Sequence, residues 1–374
     1  MTPPPYIEAV FHYLINDDLS DLNEKFKSAG FNLWFVGGAV RDVLLGIEPK
    51  DVDLCTDASP VEQAKIYTSN LIRHIPTGLH HGTYTVVIND REYEITSLRD
   101  SNGNHTTDIN VDLAQRDFTI NAMAVTFDKV LIDPFGGAHD LKAKVIKFVS
   151  DEETVIRNDP LRMMRYFRFK ALLEDFSLPD KERFNREQHY LLRKLVKRNR
   201  IWTEVKKALQ SNHASWIMEA YAKSGIGDIF GLTEHYRPKD NILVDAKTIT
   251  DDPLLLLIAL FQKSSMVYWA GTQLDWSSKE LAKAMEVCAF LQGPMSVHMA
   301  KVRIATGTPK DWILDAARLL RQDELVESIE SWKVPNFPLT REEVNNDELY
   351  NRLKMEWAYS GFRISSINLR KRIP

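Results

Sequence analysis

The stretch FVGGAVRDVLLGIEPKDVDLCT, residues 35–56, decides how the first half of this chain folds. Its glycine pair, Gly37 and Gly38, separates the strand-like run LWFV from the helical AVRDVLLG, and DVDLCT follows as a second strand. Glycine between a strand and a helix lets backbone N–H groups approach a phosphate closely. The stretch therefore predicts a strand–turn–helix–strand unit whose turn faces a ligand.

Two aspartates, Asp51 and Asp53, are separated by one residue on the run DVDLCT. Because side chains alternate across a strand, both carboxylates are expected on one face. Such a pair repels itself unless a cation lies between the two groups, and Mg²⁺ suits carboxylate and phosphate oxygens. In phosphoryl-transfer enzymes, two such ions roughly 4 Å apart activate the attacking oxygen and neutralise the leaving one. We predict that both aspartates are catalytic and bind Mg²⁺, although this spacing alone is more often a solvated strand end.

The glycine pair and Arg41 suit the phosphates of a nucleotide. The helix after Gly38 adds a partial positive charge at its N-terminus, and Arg41, one turn in, can make a bidentate phosphate contact. A glycine pair alone is usually only a turn. A glycine pair and an arginine for a triphosphate, followed by an acidic pair for its metals, together indicate a nucleotidyl-transfer site.

Strand-like runs rich in Val, Ile, Thr and aromatic residues continue outward from this stretch. They are TYTVVIND, EYEITSLR, NAMAVTF and VLIDPF, with a hairpin turn predicted at Asn89 and Asp90. Helices are predicted over residues 6–29, from the apolar spacing, and after Ser59, an expected N-cap. We therefore expect a small mixed sheet with helices over residues 30–147.

Beyond residue 150 the strand signals end, and almost every segment has a helical period. The longest apolar run, LLLLIALF at 254–261, has eight residues, which is too short to span a bilayer and predicts a buried helix. The predicted fold class is an α+β head followed by a long all-α region.

Composition excludes several classes of protein. With 44% apolar and 27% charged residues, the 374-residue chain is expected to be globular, with about two to four domains. Its two cysteines, Cys55 and Cys288, give neither a disulfide framework nor a zinc site. No secretory signal is visible in MTPPPYIEAV, so we predict a cytoplasmic protein without a membrane segment. The net charge of −4 argues against coating nucleic acid through global charge but allows local basic patches.

Four segments resemble motifs of one family, the class II tRNA nucleotidyltransferases, which comprise CCA-adding enzymes and bacterial poly(A) polymerases. The matching segments are VGGAVRDVLLGIEPKDVDLCT, VDLAQRDFTINAMAV, LIDPFGGAHDLKAKVIKFV and RNDPLRMMRYFRFKALL, and a weaker one is VPNFPLTREEV. The resemblance implies a nucleotidyltransferase fold in the head and an all-α neck, body and tail. The implied domains are residues 1–147 (catalytic head), 148–215 (neck, base recognition), 216–320 (body) and 321–374 (tail, tRNA binding).

The resemblance also implies roles for individual residues. Asp51 and Asp53 match the metal-binding aspartates, and Gly38 and Arg41 match the triphosphate cradle. Arg116, in QRDFTINAMA, matches an arginine that contacts the incoming nucleotide. Most other residues of this second motif are expected to pack in the core.

The helical segment DPLRMMRYFRF offers a way to choose a base. Asp159, Arg162, Arg165 and Arg168 recur every three residues, and Pro160 is expected to place Asp159 at or beside the helix N-cap. Cytosine and adenine each present an amino donor beside a ring acceptor, whereas uracil and guanine present the reverse order. A carboxylate only accepts and a guanidinium only donates, so Asp159 with Arg162 suits C or A. The resemblance implies the same template role, with Arg165 and Arg168 nearer the phosphates or bracing the aspartate; a solvated salt-bridged face is the structural alternative.

Three features depart from the family pattern. Asn158 stands where the family usually has Glu, Gln115 stands where it has Arg, and the connection 101–110 is short. That connection occupies the place of a flexible loop tied to the switch from C to A addition. A CC-adding or A-adding specialist and a poly(A) polymerase therefore stay open as alternatives. Glu94 is either a third carboxylate for the metals or a salt-bridged strand residue.

RNA is the expected partner, with CTP and ATP as substrates. Residues 181–200 hold eight Lys or Arg against two Glu, and the chain ends in NLRKRIP. Such runs are usually solvated faces, but in a chain of negative net charge they are the best candidates for phosphate contacts. Trp332, Trp357 and Tyr359 can stack on RNA, although core packing is the commoner role. By resemblance, the helical body clamps the tRNA acceptor and T-arm by shape.

The predicted activity is Mg²⁺-dependent addition of C, C and A to the tRNA 3′ end without a nucleic-acid template. Two other classes of protein fit the sequence less well. A non-catalytic RNA-binding protein is disfavoured because both aspartates and Arg41 are present. A metal-dependent phosphohydrolase, suggested by the HH at 80–81 and the HD at 139–140, lacks the further histidines and aspartates of that class.

Overall fold

The computed structural model describes residues 13–175, 183–233, 242–293 and 295–373. The chain divides into two compact units, Met1–Ser177 and Leu178–Pro374. The division falls inside the segment 148–215, for which we predict a neck, and the four-part domain division stays a prediction.

A seven-stranded sheet forms the centre of the first unit, in the order β3-β4-β5-β2-β1-β6-β7. Its strands are β1 (Leu33–Val36), β2 (Asp53–Thr56), β3 (Arg73–Gly78), β4 (Thr83–Ile88), β5 (Arg91–Ser97), β6 (Ala124–Thr126) and β7 (Leu131–Ile132). Only β2 and β5 pair in parallel, so the predicted mixed sheet is confirmed. Because β1 and β2 are antiparallel, the glycine pair after β1 and the aspartate that begins β2 lie at the same end of the sheet.

Six of the seven strands lie on predicted runs, and β3 is the strand that the sequence pattern misses. It is an edge strand, half exposed, with a proline at position 76 and a register shift between Ile75 and Gly78. Proline and exposed polar residues are what an edge strand tolerates and what a buried strand excludes. Its sequence therefore carries no strand signal of its own.

Seven helices accompany the sheet in the described part of the first unit. They are α1 (Asp17–Ser28), α2 (Gly38–Leu44), α3 (Pro60–Ser69), α4 (Ile109–Leu113), α5 (Gly137–Lys142), α6 (Glu152–Asn158) and α7 (Arg162–Leu172). Ser59 caps α3 through a reciprocal capping box with Glu62, as predicted. Of the segment 6–29 predicted as helix, α1 covers Asp17–Ser28, and residues 6–12 lie outside the described residues.

The two faces of the sheet have different surroundings. One face packs against α1, α2 and α3 through a large apolar core that includes Phe26, Phe35 and Ile95. On the other face, a smaller apolar cluster includes Trp34, Val36, Cys55 and Ala124 of the sheet. Beyond that cluster, Asp53 and Glu94 remain exposed on strands β2 and β5. The fold thus leaves one end of one sheet face open for a ligand.

The second unit contains helices and no strand among its described residues. Its α-helices are α8 (Arg186–Leu195), α9 (Arg198–Gln210), α10 (Ala214–Lys223), α11 (Ile242–Lys247), α12 (Pro253–Phe261), α13 (Ser264–Gln273), α14 (Ser278–Leu291), α15 (Val297–Thr306), α16 (Lys310–Leu319), α17 (Asp323–Glu330), α18 (Arg341–Val344), α19 (Asp347–Tyr359) and α20 (Ser366–Arg370). The apolar run 254–261 lies in α12 with every residue buried, as predicted. In the described portion of the chain, no helix has the length and apolar character needed to cross a bilayer.

Candidate nucleotidyl-transfer site

Carboxylates gather where β2 begins. Asp53 is the first residue of β2, and its register partner on the parallel strand β5 is Glu94. Paired residues on neighbouring strands point to the same face, so these two carboxylates are adjacent. Asp51 is exposed and lies two residues before the strand, so strand alternation fixes the face of Asp53 but not that of Asp51. Our expectation that both aspartates lie on the strand is wrong, because pairing with β5 starts only at Asp53 and pairing with β1 only at Leu54.

These carboxylates fit a hard divalent ion that also takes phosphate oxygens. Within the described residues, no group of three or more His, Cys, Asp or Glu side chains is arranged to hold a metal ion by itself. A hard divalent ion held by fewer than three protein carboxylates completes its coordination with oxygens of water or of a bound phosphate. In the part of the chain that the structure describes, Glu94 makes no ion pair, which disfavours its structural alternative.

The two glycines of the turn have different steric requirements. Gly37 has φ 67° and ψ −122°, and a Cβ there would lie 2.5 Å from Nη1 of Arg116. Its N–H donates to the carbonyl of Met123 at 3.1 Å, which ties the first motif to the second. At Gly38, in contrast, a Cβ would meet Arg41 at 3.6 Å, an ordinary contact. The protein itself requires glycine at position 37, whereas only a ligand would require it at 38.

Arg41 is held by two side chains on α2 and in the second motif. Its Nε and Nη2 donate to Oδ1 of Asp42 at 2.8 and 2.6 Å, and its Nη1 donates to Oδ1 of Asn121 at 2.7 Å. Burial lowers the pKa of this guanidinium, which Asp42 opposes and the nearby charge of Arg168 reinforces. The side chain is therefore fixed in orientation before any nucleotide binds.

The network continues from Asn121 to the predicted base-reading helix. Asn121 Nδ2 donates to Oδ1 of Asp117 at 3.0 Å, and Arg165 Nε donates to Oδ2 of Asp117 at 2.6 Å. Burial alone would raise the pKa of Asp117, but the charge of Arg165 and the hydrogen bonds from Asn121 and the Phe118 N–H outweigh it, so that pKa is lowered. Arg41 and Arg165 are thus joined through two buried side chains of the second motif.

Arg116 lies between the glycine turn and α4. Its Nη2 is 3.4 Å from Oδ2 of Asp112, and its Nε is buried without a hydrogen-bond partner among the described residues. A buried guanidinium N–H without a partner is costly and is expected to be satisfied by a ligand or water. The position of Arg116 against Gly37 is therefore compatible with the predicted contact to an incoming nucleotide.

Asp159 and Arg162 lie on either side of the start of α7. Asp159 has extended backbone angles, and its Oδ1 accepts from the N–H of Leu161 at 3.3 Å. The helix begins only at Arg162, with Leu161 as its N-cap, because the intervening residues form a tight turn in which the Arg162 N–H bonds the Asp159 carbonyl at 3.1 Å. The expected placement of Asp159 at or beside the N-cap is thus two residues early, although its carboxylate does accept from the helix entrance.

Arg162 is oriented by backbone carbonyls. Its Nη1 donates to Val155 O at 3.3 Å and its Nη2 to Gln115 O at 2.5 Å. Because a backbone carbonyl makes the second contact, the departure from the family pattern at Gln115 leaves that contact intact. Arg168, two turns further along α7, lies over the ring of Phe169 at 4.5 Å.

The short connection between β5 and α4 is a closed turn. Asp100 Oδ1 accepts from the N–H groups of Asn102 and Asn104, both at 2.9 Å, and these bonds hold the pKa of Asp100 below its usual value. Arg99 pairs with His105 as an isolated β-bridge, and a ring nitrogen of His105 bonds the carbonyl of Asp57 at 2.8 Å. This connection, which is shorter than is usual in the family, is therefore held in one conformation by its own hydrogen bonds.

The other residues singled out from the sequence lie outside this network. Asp140 of the HD pair is buried and accepts from Thr119 at 2.9 Å and Lys147 at 2.7 Å, which is not a metal site. Trp357 is buried in an apolar cluster, whereas Tyr359 is half exposed. The basic residues of 181–200 lie on and around α8 and α9, with 181 and 182 outside the described residues.

Sequence reasoning missed three residues of this site: Asp117, Asn121 and Phe169. Asp117 and Asn121 belong to the quoted second motif, where a charged and an amide residue interrupt an apolar run. Both are 5% exposed, and polar residues at that depth have a partner to satisfy. That interruption was the available signal, but nothing in it identifies the partner.

The chain is similar to known proteins over most of its length. A sequence profile of the poly A polymerase head domain matches residues 33–147. The chain is 30% identical to "CCA tRNA nucleotidyltransferase 1, mitochondrial" of Danio rerio over 88% of this chain and 82% of the relative. It is 29% identical to the Homo sapiens protein of the same name over 96% of this chain and 90% of the relative.

Two solved structures share the fold along nearly the whole chain. The Bacillus stearothermophilus CCA-adding enzyme in complex with CTP aligns with a TM-score of 0.66 and 23% identity, covering 100% of this chain and 91% of the other. The Thermotoga maritima CCA-adding enzyme complexed with tRNA aligns with a TM-score of 0.60 and 19% identity, covering 98% and 97%. At these identities the two likenesses establish the fold alone.

Proposed function

The chain belongs to the family of CCA tRNA nucleotidyltransferases, and we propose that it adds C, C and A to the 3′ end of tRNA from CTP and ATP at the site described above. The 3′-hydroxyl oxygen of the RNA forms a bond to the α-phosphorus of the nucleotide and loses its proton to solvent. The bond from the α-phosphorus to the oxygen that bridges the α- and β-phosphates breaks, and pyrophosphate leaves with that oxygen. The poly(A) polymerase head profile over residues 33–147 covers the whole acidic edge.

Asp51 and Asp53, with Glu94 beside them, would hold the Mg²⁺ of this reaction. Bound there, the ion supplies charge neutralisation and lowers the pKa of the attacking hydroxyl. The carboxylates are exposed on the open end of the sheet face, where a triphosphate and an RNA end can both reach them.

The glycine turn and the arginines would bind the nucleotide. Gly38 leaves room for a phosphate against the backbone, and Arg41, Arg165 and Arg168 converge on one side of α7. Arg116 has a buried N–H available for the nucleotide. Electrostatic stabilisation by fixed donors is the main contribution of a protein to phosphoryl transfer.

Asp159 and Arg162 would choose the base. The carboxylate accepts the amino group of C or A, and the guanidinium donates to the adjacent ring nitrogen. U or G would place donor against donor and acceptor against acceptor, leaving buried groups unpaired. The carbonyl bonds that hold Arg162 keep its remaining N–H groups in a fixed direction.

The observation that carries this proposal is the meeting of the glycine turn and the Asp53–Glu94 pair at one end of the sheet. Residues far apart in the chain thereby lie at one edge of the sheet, where a triphosphate and its metals would bind. Solved relatives of this fold have been determined with CTP and with a primer tRNA and an ATP analogue, which supports the same ligands here.

Incorporation of labelled CTP or ATP into tRNA tests the proposal. Substrate RNAs end in the discriminator base, in C or in CC, and each is incubated with each nucleotide. We expect C addition to the first two and A addition to the third. Asp53→Ala should abolish every product, and full activity in this variant would remove Asp53 from the metal site.

A CC-adding specialist is the second candidate, and the closed turn at residues 99–106 favours it. A loop fixed by its own hydrogen bonds has less freedom to change position between C and A addition. The RNA ending in CC separates the two candidates, because a specialist leaves it unextended with ATP.

The RNA-binding role of the second unit and the cellular compartment are further parts of the proposal. We infer that basic residues on α8 and α9 contact the phosphates of the tRNA backbone. The affinity for tRNA should then fall as the salt concentration rises. Cys55 and Cys288 are buried and free, as in a reducing compartment such as the cytoplasm. The mouse, zebrafish and human relatives are named as mitochondrial, so cell fractionation is the deciding measurement.

A further inference from the structure

Three guanidinium groups converge on one buried phenyl ring. The guanidinium carbons of Arg41, Arg165 and Arg168 lie 5.0, 5.4 and 4.5 Å from the ring centroid of Phe169. Phe169 is 3% exposed, so its ring is fixed and desolvated. Arg41 comes from α2, whereas the other two arginines come from α7 with the ring itself. The ring is therefore the common contact of the glycine-turn helix and the base-reading helix.

Like charges at this spacing repel, so something must hold them together. Asp117 bonds Arg165, and Asp42 and Asn121 bond Arg41, which fixes the direction of these two guanidinium groups but leaves the three cations close to one another. The face of an aromatic ring attracts cations through its quadrupole, most strongly where water is excluded. An aliphatic side chain of similar volume would fill the space without that attraction.

We propose that Phe169 is a positioning residue that holds Arg41, Arg165 and Arg168 in one cluster for the phosphates of the incoming nucleotide. The inference rests on the proposed function, because it assumes that a triphosphate is the ligand. The affinity for phosphate then depends on a ring that does not touch the nucleotide. The bases C and A carry the same triphosphate, so the effect must be equal for CTP and ATP.

Simple packing is the competing explanation, and the neighbouring ring of Phe118 controls for it. Phe118 is 0% exposed, lies 5.4 Å from Phe169 and belongs to the same apolar cluster. In the described part of the chain, no guanidinium or ammonium group lies over its ring. Replacing either ring by leucine removes comparable apolar contacts, but only one replacement removes the cation contacts.

The test compares Phe169→Leu with Phe118→Leu in the full-length protein. Three quantities are measured: the melting temperature, the KM and kcat for CTP and ATP, and the inhibition constant of inorganic tripolyphosphate, a probe without a base. We expect Phe169→Leu to raise both KM values and the tripolyphosphate constant together, by about fivefold to thirtyfold. The choice of C and A over U and G should not change. Phe118→Leu should lower the melting temperature similarly and leave the tripolyphosphate constant within about twofold.

Phe169→Tyr keeps the ring face and should restore tripolyphosphate inhibition. Phe169→Met, which fills the space with a flexible side chain, is the second aliphatic variant if leucine prevents folding. Equal inhibition constants for the wild-type protein and a folded aliphatic variant would overturn the inference, as would an equal loss in Phe118→Leu. Absence of nucleotide incorporation by the wild-type protein would instead count against the proposed function.

Discussion

Glu94 lies directly beside Asp53 across the parallel strands β5 and β2. Both residues are exposed at the open end of the sheet face, and Glu94 has no ion pair in the part of the chain that the structure describes. Two adjacent carboxylates without a cation repel each other, and a bound divalent ion removes that cost. Strand pairing therefore makes Glu94 a candidate metal ligand, a role that sequence spacing alone left undecided.

Glu94→Gln should lower kcat by about 10- to 100-fold and raise the Mg²⁺ concentration needed for half-maximal activity. The amide keeps the shape of the side chain but removes the charge that a hard cation prefers. Incorporation assays over a Mg²⁺ titration measure both effects. Glu92→Gln is the matched control, because Glu92 is exposed on the same strand and pairs with Val87. An unchanged Mg²⁺ requirement in Glu94→Gln would show that Glu94 is not a metal ligand.

Gly37→Ala and Gly38→Ala should separate a requirement of the fold from a requirement of the ligand. The first substitution forces alanine into φ 67° and against Arg116, and should cost about 1–3 kcal/mol of unfolding free energy. The second adds a methyl group at the first residue of α2, where it would meet Arg41 only at an ordinary contact distance, so stability should hold. The KM of Gly38→Ala for CTP and ATP should nevertheless increase about tenfold, because the methyl group occupies space proposed for a phosphate. Denaturant titration and steady-state kinetics measure the two effects, and an unaltered KM in a stable Gly38→Ala protein would contradict the proposed phosphate contact.

Asp159→Ala should relax the choice of base. Without the carboxylate, U and G lose an unfavourable acceptor–acceptor contact, and C and A lose a hydrogen bond, so discrimination should fall by about 10- to 100-fold. Misincorporation of UTP and GTP relative to CTP is the measurement. Asp159 also accepts from the Leu161 N–H, so some stability is lost as well. Asp151→Ala removes a comparable cap, the bond to Thr154 N–H at 3.0 Å, and should cost about 1 kcal/mol without altering base choice. Relaxed choice in both variants would point to loss of stability as the cause.

Asp117→Asn should destabilise the protein in a pH-dependent way. The folded protein holds the pKa of Asp117 below the ordinary 3.8, so the carboxylate stabilises the fold above that pH and stops doing so as the pH falls through the folded-state pKa. The wild-type protein should exceed the variant by about 1–3 kcal/mol at pH 7, with little change down to pH ~5 and a shrinking difference below pH ~4. Urea unfolding of both proteins at several pH values gives the difference directly. A stability difference that grows on acidification would have the opposite pH dependence. It would exclude the ion pair between Asp117 and Arg165 as the cause of the stabilisation.

Much of the fold follows from local sequence. The capping box at Ser59, the hairpin turn at Asn89 and Asp90, and the buried helix α12 involve residues close in the chain, and each is found as predicted. Strand β3 is the exception, because an edge strand is stabilised by its neighbour rather than by its own composition.

The candidate site was predictable in its chemistry and less so in its geometry. The glycine pair and the acidic pair indicate phosphate and metal binding through their residue types and spacing, which can be read from the sequence. The start of β2 and the N-cap of α7 lie two residues from their expected positions, because strand pairing and a tight first turn set those boundaries.

The sequence by itself determined which chemical groups are available: carboxylates for a metal, glycines for a close approach, and an acid with a guanidinium for a base. Tertiary structure alone decided which of them meet. Arg41 and Asn121 are 80 positions apart and Arg165 and Asp117 are 48 apart, yet each pair is hydrogen-bonded, and Glu94 reaches Asp53 only through strand pairing. The physical reason is that backbone preference and side-chain periodicity act over a few residues, whereas burial and charge pairing select partners by distance in space.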